Sequence, residues 1–152
     1  MVRIGVISDT HGLLRPEAST FLRGCDHIVH GGDVGKPEVL AALAALAPVI
    51  AVRGNVDRGE WATALPDTRR VTLAGVCLYM LHDLAELDID PVADGIDVVV
   101  SGHSHRPLAT RRDGVLYLNP GSAGPRRFKL PVSVAEIIVD GRTIESRIVV
   151  LV

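Results

Sequence analysis

The sequence predicts an α/β domain built from two packed sheets with helices outside. Three observations carry that prediction. Short β-branched runs alternate with helix-like segments in the first third of the chain. After Pro66, Asp-Gly and Ala-Gly pairs interrupt apolar runs in the manner of antiparallel hairpins. Clusters of Gly, Asp and His fall at the ends of the apolar runs.

Residues 2–8 are nearly continuously apolar, as a buried strand is, and run into Asp9-Thr10-His11-Gly12. Residues 16–25 read as a helix, with Pro16 in its first turn and Ala18, Phe21 and Leu22 forming its apolar stripe. Residues 28–30 form a short strand. Residues 36–47 are a second helix, opened by Pro37 and Glu38 and stopped by Pro48, and residues 49–52 a third strand. The second helix is apolar on nearly every face, so it is either deeply buried or a subunit interface, and a homo-oligomer is the second of those readings. This β-α-β-α-β order places ligand-holding loops at the carboxyl ends of the strands. Further on, residues 69–73 and 76–81 flank Ala74-Gly75, and Asp113-Gly114 and Asp140-Gly141 each mark a turn, giving three expected hairpins. Residues 97–101 form a buried strand running into Gly102-His103-Ser104-His105. Nothing resembling a linker or repeat divides the chain, so residues 1–152 are read as a single domain.

Composition narrows the function. In 152 residues, 16 Lys and Arg stand against 18 Asp and Glu, for a net charge of -2, and only 3% of residues are aromatic. Polymeric nucleic acid is therefore an unfavoured partner, because neither a phosphate-neutralising surface nor a base-stacking platform is available. A hydrophobic share of 47% suffices for a core that Val, Ile, Leu and Ala must fill. The longest uncharged apolar stretch, 39–52, contains Pro48 and is too short for a bilayer, so no membrane partner is expected. The start Met1-Val2-Arg3 has no signal-peptide pattern, and Cys25 and Cys77 build no disulfide framework; a cytoplasmic location is expected.

Five of the 6 histidines, His11, His30, His82, His103 and His105, lie at or just past the end of an apolar run, as do Asp33 and Asn55. In extended backbone, residues i and i+2 point the same way, so Asp9 with His11, and His103 with His105, form two claws. Asp9, His11, Asp33, Asn55, His82, His103 and His105 make seven candidate metal ligands, more than one four-coordinate ion takes, and none is a thiol. Two divalent ions sharing a carboxylate is the economical arrangement. Such ions outweigh two carboxylates and leave a positive site suited to a small phosphate ester.

These stretches resemble the calcineurin-like metallophosphoesterase superfamily, and most closely its small YfcE-like branch. The matching motifs are Ser8-Asp9-Thr10-His11-Gly12, His30-Gly31-Gly32-Asp33, Gly54-Asn55-Val56-Asp57, Leu81-His82, Gly102-His103-Ser104-His105 and Asn119-Pro120-Gly121-Ser122. The resemblance implies a four-layer αββα sandwich of two mixed sheets. It implies Asp9, His11, Asp33 and His105 on one metal, and Asp33, Asn55, His82 and His103 on the other. The reaction implied is phosphodiester or phosphomonoester hydrolysis by a metal-bridging hydroxide, with Asp33, His11 and Asn55 carrying catalysis. Mn is the metal implied by the branch, while mixed nitrogen and oxygen ligands also suit Fe, Zn, Ni or Co. The rival reading is a non-catalytic interaction platform, since the eukaryotic retromer scaffold subunit resembles the same fold.

Two positions depart from the superfamily pattern. Val56 stands where many members place a histidine able to protonate the leaving group, and Asp83 follows His82 where Gly is usual. His11 is then the residue left to approach the leaving group. Asp83 is expected either to orient an imidazole or to cap the segment after it. His30 and Asp57 are expected to support the ligands rather than bind metal. Arg53, Arg58, Arg106, Arg126 and Arg127 lie beside the motifs and are each read as solvated or structural, the alternative being that one of them clamps a substrate phosphate, and Trp61 is read as packing on a loop or as a partner surface. Substrate contacts are assigned to no residue, but the rim loops 83–90 and 123–129 are where they belong.

Overall fold

The computed structural model describes residues 1–127 and 129–152. Two five-stranded mixed sheets face one another. The first has the order β10-β9-β1-β2-β3, formed by Thr143–Val150, Ser133–Asp140, Val2–Ile7, His27–His30 and Val49–Ala51. Its β1, β2 and β3 are parallel, joined through helices α1 (Pro16–Leu22) and α2 (Pro37–Ala44), and β9 and β10 add antiparallel on the other side. The second sheet has the order β4-β5-β6-β8-β7, formed by Thr68–Leu73, Val76–Leu81, Val98–Val100, Val115–Asn119 and Leu108–Arg112. Here β5, β6 and β8 are parallel, with antiparallel edges at β4 and β7.

Strand alternation divides the core. Ile4 and Val6 of β1, Val29 of β2 and Ile137 of β9 point between the sheets, where they meet Leu78, Met80, Val98, Val100 and Leu118. Each such aliphatic side chain, fully buried, contributes about 1.5–3 kcal/mol, which is how a chain this poor in aromatics holds together. The opposite face of the first sheet, with Ile7 and Ile28, packs under Ala18 and Leu22 of α1 and Val39 and Leu43 of α2. Trp61 packs into this same cluster from a 3₁₀ turn at Glu60–Ala64.

The three hairpins lie where the turn residues place them. Asp113 and Gly114 have φ of 53° and 81°, the double left-handed pair of a type I′ turn, which matches the strands' own twist. Both helices are shorter than their apolar patterns suggest. Nor is α2 buried all round: Val39 and Leu43 face the core, whereas Ala41, Ala42 and Ala44 are exposed. Alanine supports a helix by propensity wherever it points, so its density does not report burial. The outer face of the second sheet, with Tyr79, Leu81, Val99 and Val115, is covered by a 3₁₀ turn at Leu84–Glu86 and by Leu87, Ile89 and Ile96. Among the described residues no α-helix lies on that side.

Candidate metal centre

The carboxyl ends of β1, β2 and β3 in one sheet and of β5 and β6 in the other meet on one rim, delivering Asp9 and His11, Asp33, Asn55, His82, and His103 with His105. The convergence is therefore across two sheets rather than along one. Asp9 and His11 do bring their ligand atoms together, as expected, but not through extended backbone, and His103 and His105 do not share one side. Asp9, His11, Asp33, His103 and His105 all have positive φ, between 47° and 69°. Left-handed backbone is tolerated best by Asp, Asn and His among residues with a Cβ, and such strain concentrates at functional sites. Its effect is to turn each loop sharply at the ligand. His105 then points inward, its Nε2 3.4 Å from Asp9 Oδ1, while His103 points to the mouth, its Nδ1 3.2 Å from Asn55 Oδ1.

The two carboxylates are built alike. Asp9 Oδ2 accepts from the Ser8 hydroxyl at 2.7 Å and the His103 N–H at 3.1 Å, leaving Oδ1 aimed into the centre. Asp33 Oδ1 accepts from the Val56 N–H at 3.0 Å, and its Oδ2 lies 3.2 Å from His82 Nε2 and 3.6 Å from His11 Nε2. His82 donates from Nδ1 to the Gly31 carbonyl at 2.8 Å, which turns its Nε2 toward the carboxylates. The histidines pair off, His11 with His105 at 5.3 Å between ring centroids and His82 with His103 at 5.2 Å, on either side of the aspartates. Asp9 Oδ1, His11 Nε2, His82 Nε2 and His105 Nδ1 are buried and find no hydrogen-bond partner among the described residues. Buried polar atoms ordinarily find partners. One carboxylate oxygen and three imidazole nitrogens left so, beside Asp33, fit a cation site. Asp9, His11 and His105, and Asp9, Asp33 and His82, each bring their ligand atoms within 4.8 Å of one another.

The electrostatics agree. Burial alone would raise the Asp9 carboxyl, yet His105, His11 and Ser8 hold it far below the usual carboxylate range. Burial opposes the charging of His82, but Asp33, the Gly31 carbonyl and Asp9 push its pKa up to about 9. His11 is raised chiefly by Asp9. The aspartates thus draw positive charge toward one point.

His30 and Asp57 are both buried beside the ligand loops. His30 is fully buried; its Nδ1 accepts from the Gly32 N–H at 3.0 Å, so Nε2–H donates to Thr10 Oγ1 at 3.0 Å, and Thr10 passes its own proton to the Val34 carbonyl. Asp57 accepts from the N–H groups of Val34, Gly35 and Gly54, clasping the Asp33 loop to the Asn55 loop. The two loops approach so closely that a Cβ at Gly54 would overlap the backbone and carboxylate of Asp33. Asp83 caps the turn after it, accepting from the Ala85 N–H at 3.1 Å, and its Oδ2 stands 3.8 Å from His103 Nε2, beyond hydrogen-bond distance.

Roles that motif reading left open belong to Ser8, Asn119 and Ser122. Asn119 donates to the Gly102 carbonyl and Ser104 Oγ and accepts from the Gly121 N–H, and Ser122 Oγ donates to the Asp9 carbonyl. The Asn119–Ser122 segment thus braces both ligand loops from below. Of the arginines, Arg53 pairs with Asp67 at 2.8 Å and Arg126 donates to the Val152 carbonyl. Residue 128, in the rim loop 123–129, lies outside the described residues.

A sequence model of the calcineurin-like phosphoesterase superfamily domain matches residues 2–142. The chain belongs to that superfamily. Within it, the chain is 34% identical over 158 residues to a probable metallophosphoesterase of Methanothermobacter thermautotrophicus, covering 96% of this chain and 91% of that one. It is also 31% identical over 97 residues, 56% of this chain and 50% of the relative, to the Escherichia coli phosphodiesterase YfcE. Among solved structures, an archaeal phosphodiesterase superposes with a TM-score of 0.82 at 25% identity, over 99% of this chain and 100% of that one. Vps29 of Chaetomium thermophilum superposes with a TM-score of 0.78 at 20% identity, covering 97% and 94%, a likeness of fold.

Proposed function

We propose that this protein is a phosphodiesterase that uses two divalent cations to hydrolyse a small phosphate diester. The observation that carries the proposal is Asp33 Oδ2, which lies within 3.6 Å of His11 on one side and 3.2 Å of His82 on the other. A carboxylate between two histidine pairs is the arrangement a dinuclear site needs, and Asp9 Oδ1, 3.8 Å from His11, 3.9 Å from His82 and 3.4 Å from His105, stands beside it. Asp9, His11, Asp33 and His105 would hold one cation, and Asp33, Asn55, His82 and His103 the other. Bound there, the cations supply Lewis acidity toward phosphoryl oxygens and lower the pKa of water to make a nucleophile at neutral pH. Mn is the proposed metal, with Fe, Zn, Ni and Co suited to the same donors.

The chain's own part is to fix orientation. The anchored oxygens of Asp9 and Asp33 cannot rotate away without breaking hydrogen bonds, and His82 is locked in one tautomer by Gly31. Among the ligands proposed for the first cation, His11 has a fifth of its side chain exposed, against 4% or less for Asp9, Asp33 and His105, and is the one proposed to approach the leaving group; at the second, His103 and Asn55 are the open ones. Val56 supplies a backbone N–H to Asp33 and no proton to the substrate. The cavity of about 540 Å³ at the Asn55, His82 and His103 end carries Asp67, Asp83, Glu86 and Asp88 against Arg53. Such surroundings repel a dianionic monoester more than a monoanionic diester, which favours the diester. Two cysteines with no disulfide between them suit a cytoplasmic enzyme of one folded unit.

The test is hydrolysis of bis(4-nitrophenyl) phosphate by chelator-stripped protein, with and without Mn, beside an Asp33→Asn variant. Metal-dependent turnover in the wild type, two ions bound per chain, and loss of at least a hundredfold in the variant are expected. Two ions bound with neither this diester nor 4-nitrophenyl phosphate hydrolysed would overturn the reading in favour of an interaction platform.

A further inference from the structure

A second cavity, of about 240 Å³, opens on the far side of His103 from the acidic one. Leu84, Leu108, Tyr117 and Leu118 give it apolar walls, with Arg106 among its lining residues. Asp83 and His103 line both cavities, so the pocket adjoins the proposed metal centre. Leu108 is 51% exposed at its rim, although the fold has every means to place a polar residue on an edge strand there. Tyr117 is held by the Arg112 guanidinium, stacked 4.9 Å from its ring centroid. At this volume the pocket is smaller than the roughly 300–1,000 Å³ that enclose an entire ligand, so it suits one arm of a substrate.

We propose that this pocket binds an aromatic ester group of the diester, making the enzyme selective for diesters with a planar apolar arm. The proposal rests on the phosphodiesterase reading above. A diester has two arms, and His103 stands between two cavities of opposite character. An uncharged planar ring finds Leu84, Leu108 and Tyr117 on one side, while the carboxylates on the other side favour a hydroxylated or cationic arm. Arg106 and Tyr117 add planar surfaces against which a ring stacks.

The experiment compares phenylphosphonate with methylphosphonate by calorimetry on Mn-loaded protein, then bis(4-nitrophenyl) phosphate with methyl 4-nitrophenyl phosphate by rate. The wild type is expected to bind the phenyl compound at least tenfold more tightly, as burying a ring's apolar surface requires. The ratio of kcat/KM should favour the diaryl ester beyond the statistical factor of its two leaving groups. Leu108→Asp, on the rim where folding tolerates it, and Tyr117→Ala are each expected to bring the phenyl-to-methyl affinity ratio close to one. Val92→Asp, an exposed position lining neither cavity, is expected to keep it. Equal affinities in the wild type, or a preference that survives both pocket variants, would overturn the pocket while leaving the phosphodiesterase reading intact. If neither phosphonate binds and no ester turns over, the phosphodiesterase reading fails and the pocket falls with it.

Discussion

Asp57 is the residue whose removal best tests how the centre is held. It is 4% exposed and accepts three backbone hydrogen bonds, from Val34 at 3.2 Å, Gly35 at 2.9 Å and Gly54 at 2.9 Å. In Asp57→Asn the amide keeps one acceptor oxygen. If that oxygen replaces Oδ2, the new NH₂ faces the Gly35 N–H, so one bond becomes a repulsion and the other two lose charge assistance. Hydrogen bonds to charged groups contribute about 1.5–3 kcal/mol, and an unsatisfied buried donor costs about 1–3 kcal/mol, so a loss of about 2–4 kcal/mol is expected. For a domain of this size that lowers Tm by about 5–15 °C. Because the clasp joins the Asp33 loop to the Asn55 loop, metal affinity should also fall, by about 10–100-fold as for other residues that orient ligands. Calorimetric melts run in chelator isolate the stability term, and titration with Mn reads the affinity. A variant that melts within about 1 °C of the wild type and binds Mn unchanged would refute the claim that Asp57 holds these loops together.

Three further outcomes are expected. Burial lowers the His30 pKa from 6.5 to about 4 despite Asp9 and Asp57, so between those pH values the unfolded chain takes up a proton that the folded one refuses; stability should fall with pH across that window by about 3 kcal/mol, and His30→Gln should lose that part of the pH dependence in denaturant titrations. Burial would raise the Glu136 carboxyl, but Arg3 and Arg147 hold it below 4.5, so its contribution is complete above 4.5 and lost as pH falls through the depressed value; Glu136→Gln should melt lower than the wild type at pH 7 and converge on it in acid. With Val56 in place of a proton donor, log kcat should drop steeply from nitrophenyl to alkyl leaving groups. Val56→His, at a position 43% exposed and free to take the ring, should flatten that slope, and a wild-type slope near zero would contradict the assignment.

What was legible in the sequence was chemistry attached to local signals. Asp113-Gly114 gave its hairpin because a type I′ turn admits few other pairs, and the seven ligand candidates stood out because polar donors at the ends of apolar strands have no core to serve. What escaped was everything decided between loops distant in sequence. Ser8, which fixes one oxygen of Asp9, is beside it in the chain but indistinguishable from any serine ending a strand. Asn119 lies 17 residues from Gly102, whose carbonyl it holds, and nothing local ties the two together. The length of α2 was overread because alanine serves a buried and an exposed helix face equally well.

The left-handed backbone at five site residues is the deepest of these omissions, since it decides how the ligands divide. In extended chain His103 and His105 would share one side and compete for one ion. With φ of 69° and 61° they separate, His105 to Asp9 in the buried half and His103 to Asn55 and Asp83 at the mouth. Each turn costs strain that the fold must offset elsewhere, and the offsets are visible: the His103 N–H is bonded to Asp9, the His11 N–H to the Asp33 carbonyl and the Asp9 N–H to the Gly32 carbonyl. Asp9, His11 and His103 are thus each held by a bond to another ligand loop, and Asp33 by the bond its carbonyl accepts from His11, so these loops do not keep their shapes alone. Five of the seven proposed ligands are aimed from left-handed backbone, Asn55 and His82 being the exceptions, and loops that hold one another in this way keep the donor atoms in place before any cation arrives.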